Sequence, residues 1–194
     1  MKHSVFFAGV VLTVALSNVA FAANPQAPGA TQAKPTFASE YDKQLTDIEK
    51  EITGAAEAMP EDKFNFAPSG PGDFKGVRTF AMQVKHLATG NYALAAAILQ
   101  EKAPVPLKGP NGPDSITSRA DILKLLADSY VYAHKAVLSI TQENILEPIK
   151  RPFGEGQTTR LTLATSLLGH PFDHYGQMVI YLRMNGIIPP ASRK

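Results

Sequence analysis

The sequence predicts an all-α protein, a four-helix bundle with long interhelical loops. Four stretches place apolar residues at three- and four-residue intervals, the spacing of one helical face. Runs dense in proline and glycine separate them. No segment alternating with period two is longer than Arg160 to Ala164, and there is no internal repeat. Of 194 residues, 44% are hydrophobic, enough to bury the core of one domain. A formal charge of +2 gives no reason to expect nucleic acid as a partner.

Taken in order, residues 1–22 read as an export signal rather than as structure. A short polar start at Lys2 and His3 precedes an apolar run from Ser4 to Leu16 that is short for a membrane span, and Ala20-Phe21-Ala22 supplies an A-x-A cleavage site. Cleavage after Ala22 would leave an exported, nearly neutral protein with no stable membrane anchor, destined for the periplasm or the extracellular space. Residues 23–36, rich in Ala, Pro, Gln and Gly, read as a flexible linker. The folded domain is expected over residues 37–194.

Helix one is expected from Thr36, a candidate N-cap, with Phe37, Tyr41, Leu45, Ile48, Ile52, Ala55 and Met59 on one face and Pro60 as its stop. The second is expected over residues 73–101, with Phe80, Val84, Leu87, Asn91, Leu94 and Ile98 in line. The third, over residues 117–140, aligns Ile122, Leu126, Ser129, Ala133, Val137 and Ile140. The fourth, over residues 160–185, aligns Leu163, Leu167, His170, His174, Met178, Tyr181 and Asn185, with Gly186 as its C′ residue and Pro189 and Pro190 beyond. Pro171 lacks a backbone donor and clashes with the carbonyl of Leu167, so a kink or a helix restart is expected near His170.

The chain has no cysteine, which excludes disulfides, thiolate metal sites and a cysteine nucleophile. Coordination chemistry then falls to five histidines. His170 and His174, four residues apart, lie on one face and could share an ion, or could be two hydrogen-bonded core histidines. On helix two, His86 lies above a stripe of small residues, Gly90, Ala93 and Ala97. That stripe fits close helix packing, and it fits equally well a space left beside His86 for a metal and a ligand. His134 is the other candidate, at the edge of helix three.

The run from His170 to Ser192, H-x-x-x-H-x-G-Q followed by YLR and G-x-x-P-P, resembles the end of the DinB-like (DfsB/YfiT-type) four-helix metalloprotein superfamily. Residues Phe80 to Tyr92 and Ala56 to Pro68 resemble its second-helix histidine motif and its first interhelical loop. The resemblance implies a divalent ion held by His86, His170 and His174 with open positions on the ion; three imidazoles and water suit zinc, nickel, iron or copper, and zinc or nickel is the first expectation. It also implies hydrolysis or thiol-dependent transfer on a small molecule, including use of a low-molecular-weight thiol. Asp173, Gln177 and Tyr181 are candidates to support a ligating histidine or to line a pocket, as are Tyr92 and Tyr130. No general base is evident. A non-catalytic metal- or ligand-binding bundle, or a structural bundle whose histidines are core residues, are the alternatives; a homodimer is the default expectation.

Overall fold

The computed structural model describes residues 34–69 and 75–193. The export signal and nearly all of the linker expected from the sequence lie outside the described residues. The remainder, Pro35–Lys194, is one compact unit built on helices α1 (Phe37–Ala58), α2 (Phe80–Leu99), α3 (Arg119–Leu138) and α4 (Arg160–Met184). Helices α1 and α2 each pack against both α3 and α4. The apolar stripes read from the sequence converge on one core, with Leu45, Ile48, Ile52, Leu87, Ile98, Ile122, Leu126, Leu167 and Met178 all buried.

Each helix begins where its caps dictate. Thr36 and Ser39 form a reciprocal capping box at α1. The α2 helix starts at Phe80, later than its pattern suggests. There Thr79 caps Met82 N–H, and the backbone N–H groups of Phe80 and Ala81 donate to the carbonyls of Phe66 and Phe64. The loop thus satisfies donors that another helical turn would have used. Ser118 caps α3. Beyond α4, Gly186 (φ +73°) allows its own N–H to reach Arg183 O and that of Ile187 to reach Leu182 O, a Schellman ending. The same pair of bonds closes α2, but there Gln100 occupies the left-handed position at φ +54°.

Two features differ from the sequence reading. The α4 helix runs unbroken through Pro171, so the restart expected near His170 is absent. Proline removes one donor, and its surroundings tolerate the loss because packing against α1 and α2 holds the helix on either side. The alternating run from Arg160 to Ala164 is helical. A small antiparallel hairpin, β1 (Pro148–Lys150) and β2 (Gln157–Thr159), precedes it instead, with Ile149 buried against the core. Strands of three residues each carry too little pattern to be read from a sequence.

Sixteen of the twenty residues of α2 are buried, which makes it the most enclosed helix. Polar groups within it must therefore find partners inside the protein. Asn91 donates to Ser129 of α3, and Arg160 reaches from α4 to the carbonyl of Ile98. No helix among the described residues is long and apolar enough to cross a membrane.

Candidate metal centre

The facing surfaces of α2 and α4 bring His86, His170 and His174 together. Their ring centroids are 5.0 Å (His86 to His170), 4.8 Å (His86 to His174) and 4.6 Å (His170 to His174) apart. One ring nitrogen from each lies within 4.8 Å of the others.

Partners outside the cluster fix two tautomers. Nδ1–H of His86 donates to the carbonyl of Pro110 at 2.6 Å, which leaves Nε2 with its lone pair. The Pro110 carbonyl is held in place by a loop stitched onto α2. Lys85 Nζ donates to Pro113 O, Arg78 Nε donates to Asn111 Oδ1, and Gly112, at φ +70°, lies so close that an added Cβ would stand 2.7 Å from Thr89 Oγ1. Nδ1–H of His174 donates to Gln83 Oε1 at 2.7 Å, again leaving Nε2 bare. Gln83 in turn donates to Gln177 Oε1 at 2.8 Å, and Gln177 to Asp173 Oδ2 at 3.3 Å. A relay of three side chains thus backs one imidazole.

The third ring has a different environment. Nε2 of His170 lies 3.1 Å from Nε2 of His86, so with the His86 lone pair as acceptor His170 is the donor of this contact. Its buried Nδ1 has no hydrogen-bond partner. The ring fits because residue 90 is glycine: a Cβ there would stand 2.8 Å from His170 Cε1 and 3.0 Å from Nδ1. The small residue on α2 therefore makes room for an imidazole of α4.

Electrostatics keep the cluster neutral. Burial, then repulsion from His174 and His86, push His170 down to about 4. Burial and the neighbouring His86 push His174 down to about 4, and burial lowers His86 against the opposing pull of the Pro110 carbonyl. Near neutral pH all three imidazoles are unprotonated bases, the form in which histidine coordinates a metal. Two imidazole nitrogens on one tetrahedral zinc, each at about 2.0–2.1 Å, stand about 3.3 Å apart. The 3.1 Å separation of the His86 and His170 Nε2 atoms and the two tautomers fixed with Nε2 bare suit a divalent cation shared through Nε2, for which His170 would carry its proton on Nδ1 instead.

Of the other candidates, Asp173 and Gln177 belong to the relay behind His174. Tyr181 packs among Phe66 and Phe80, with its hydroxyl donating to Arg78 O, and does not line the cleft beside the histidines. Tyr92 packs against Tyr132 with the rings tilted by 40°, and Tyr130 is buried in the core, away from that cleft as well. His134 bridges Asp42 (2.6 Å) and Glu49 (2.9 Å), tying α3 to α1 outside the cluster. Burial opposes its protonation, but the two carboxylates together outweigh burial and raise its pKa. Gln83 and the Pro110 carbonyl were not among the residues singled out from the sequence. A glutamine one turn before His86 on the same helix was the available signal for the first; a backbone carbonyl leaves none.

An open cleft of about 670 Å³ adjoins the cluster, lined by His86 and His170 and otherwise mainly by Gly90, Leu94, Leu107, Pro110 and Phe153. Fold and site together define a helical bundle that presents three convergent, neutral imidazoles at the edge of an apolar cleft. The model of the DinB superfamily matches residues 44–178, and the chain belongs to that superfamily. Among solved structures, a DinB-like protein from Bacillus cereus aligns with a TM-score of 0.63 at 15% identity, covering 77% of this chain and 93% of that one. A DinB-like protein from Bacillus subtilis gives 0.59 at 16%, covering 80% and 99%. At these identities the likeness concerns the fold. No curated protein matches the chain in sequence.

Proposed function

We propose that the protein is an exported, metal-dependent enzyme of the DinB superfamily that acts on a small molecule by hydrolysis or thiol-dependent transfer. The observation that carries this reading is the convergence of three unprotonated imidazoles beside an open cleft, with two of them oriented from behind by Pro110 and Gln83. His86, His170 and His174 would hold a divalent ion, with zinc or nickel as the first candidates. Such an ion polarises a carbonyl or lowers the pKa of a water or thiol that joins it, the chemistry both reactions need. Three protein ligands would leave coordination positions open, as catalytic sites do.

The chain's own residues would supply orientation and an apolar surface. Gln83 and Pro110 hold ring tautomers, Gly90 seats the His170 ring, and Leu94, Leu107 and Phe153 form the apolar wall against which a substrate would rest. With no cysteine in the sequence, any reacting sulfur would arrive with the substrate or a low-molecular-weight thiol.

Zinc and nickel titrations of the purified chain test the metal; the expected result is one ion per chain, lost in His174→Ala. A screen of the loaded protein with esters, amides and thiol acceptors tests the reaction. Stoichiometric metal without turnover that depends on His86 would favour a binding protein over an enzyme. The A-x-A signal supports export, which fractionation of a producing cell would test, and sedimentation would test the expected homodimer.

A further inference from the structure

We infer that this site serves an elongated amphiphile, with its reacting end at the histidines, an apolar body lying along α2, and an anionic far end held by Lys150 and Arg151. Only the reacting end of this inference rests on the metal reading above.

Two clefts on the α2 surface share Leu107 as a wall. The first contains His86, Gly90, Leu94 and Phe153; the second, of about 410 Å³, contains Ala93, Ala97, Lys150 and Arg151. His86, Gly90, Ala93 and Ala97 follow one another on one face of a single helix, so the clefts lie in succession along it. From His86 to Ala97 the floor extends about 16 Å at 1.5 Å per residue. Gly90 gives its space to the His170 ring, and farther along the helix Ala93 and Ala97 keep the floor of the second cleft low. The walls are the loop carrying Leu107 and the hairpin that carries Lys150, Arg151 and Phe153.

The chemistry changes from the first cleft to the second. Apart from the two imidazoles, the first cleft has no ionisable lining side chain. Its hydroxyls donate to their own helices, Thr89 to Lys85 O and Ser166 to Thr162 O, and so offer only lone pairs to a ligand. Against the wall of Leu94, Leu107 and Phe153 a charged group would lose its hydration without replacement, whereas an uncharged apolar body would not. At the far end Glu101 is already engaged by Lys135 at 2.9 Å and by the Tyr132 hydroxyl at 2.8 Å. Lys150 and Arg151 enter no ion pair among the described residues, leaving a positive surplus for an anion.

Calorimetric titration of the full chain, metal-free and with zinc added, with 9-oxodecanoate, 2-decanone and levulinate tests this, because the three separate body length from terminal charge and none is hydrolysable. The expected order has 9-oxodecanoate roughly 30-fold or more tighter than levulinate, from its buried methylenes. It should also bind roughly three- to tenfold tighter than 2-decanone at low ionic strength, a preference removed by added salt and by the double variant Lys150→Ala/Arg151→Ala. Both substituted residues are exposed, and circular dichroism checks that the variant is folded. Levulinate binding as tightly as 9-oxodecanoate, 2-decanone binding as tightly, or an unchanged double variant would each overturn the inference. A zinc titration alongside separates the two readings. Zinc bound at one per chain with no binding of the keto acid defeats the groove alone. Binding of the keto acid that depends on Lys150 and Arg151, without zinc uptake, defeats the metal reading alone.

Discussion

Substituting Gly90→Ala should uncouple metal binding from folding. The added Cβ would stand 2.8 Å from His170 Cε1 and 3.0 Å from Nδ1, closer than carbon and nitrogen tolerate. Backbone does not block the position; the obstacle is the end of a side chain, and the ring can swing away. Within α2, alanine is favoured over glycine by about 1 kcal/mol. The expected outcome is therefore a metal-free protein as stable as the parent or up to about 1 kcal/mol more so, judged by urea unfolding. Zinc affinity, measured by competition with a chelator, should fall by roughly 100-fold or about 2.7 kcal/mol, on the scale of disturbing a ligand's support or more. Undiminished zinc affinity with the fold intact would show that His170 is not a ligand, or that its ring coordinates from a position Gly90 does not govern. A large loss of stability would show instead that the ring cannot move and that the site is rigid from α4 inward.

Replacing Gln83 with Leu removes the acceptor that fixes His174, and zinc affinity should drop by roughly 10- to 100-fold; nitrogen NMR should show His174 in mixed tautomers, a change a merely structural role would not produce. Gln100→Gly relieves a left-handed residue at φ +54° and should raise unfolding stability by roughly 0.5–1 kcal/mol without altering zinc uptake. In the metal-free protein His170 and His174 titrate at about 4, against 6.5 when unfolded. Their lowered values make the unfolded chain the better proton binder between those limits, so this part of the stability is complete above pH 6.5 and is lost as pH falls toward 4. Chemical denaturation across that range checks it, and His174→Gln should flatten the slope. His134 acts in the opposite sense: its raised pKa gives stability that is present below pH 6.5 and fades as pH rises through its folded value, a trend His134→Gln should abolish.

Much of the fold was legible because helix burial repeats every three or four residues and proline and glycine mark its limits. The stripes of α1, α3 and α4 enter the core as their spacing requires. The start of α2 was less legible, since its first N–H groups are satisfied by carbonyls of Phe64 and Phe66 brought from another segment. Pro171 reads as a break, yet tertiary packing carries the helix through it. The hairpin at Pro148–Lys150 and Gln157–Thr159 is too short for its pattern to stand out.

The sequence by itself determined the all-α class and the absence of any thiolate. It also placed His170 and His174 on one face, since a four-residue separation on a helix admits little else. Motif resemblance added His86 to that pair. Only the tertiary structure decided that the three rings meet, that His134 turns instead to Asp42 and Glu49, and that Gly90 yields its space to a ring from another helix. It also decided that Pro110 and Gln83 set the tautomers. Spacing along a chain specifies the face on which a side chain lies; the partner across that face comes from a distant segment, and its chemistry is settled only when packing brings the two within a hydrogen bond's length.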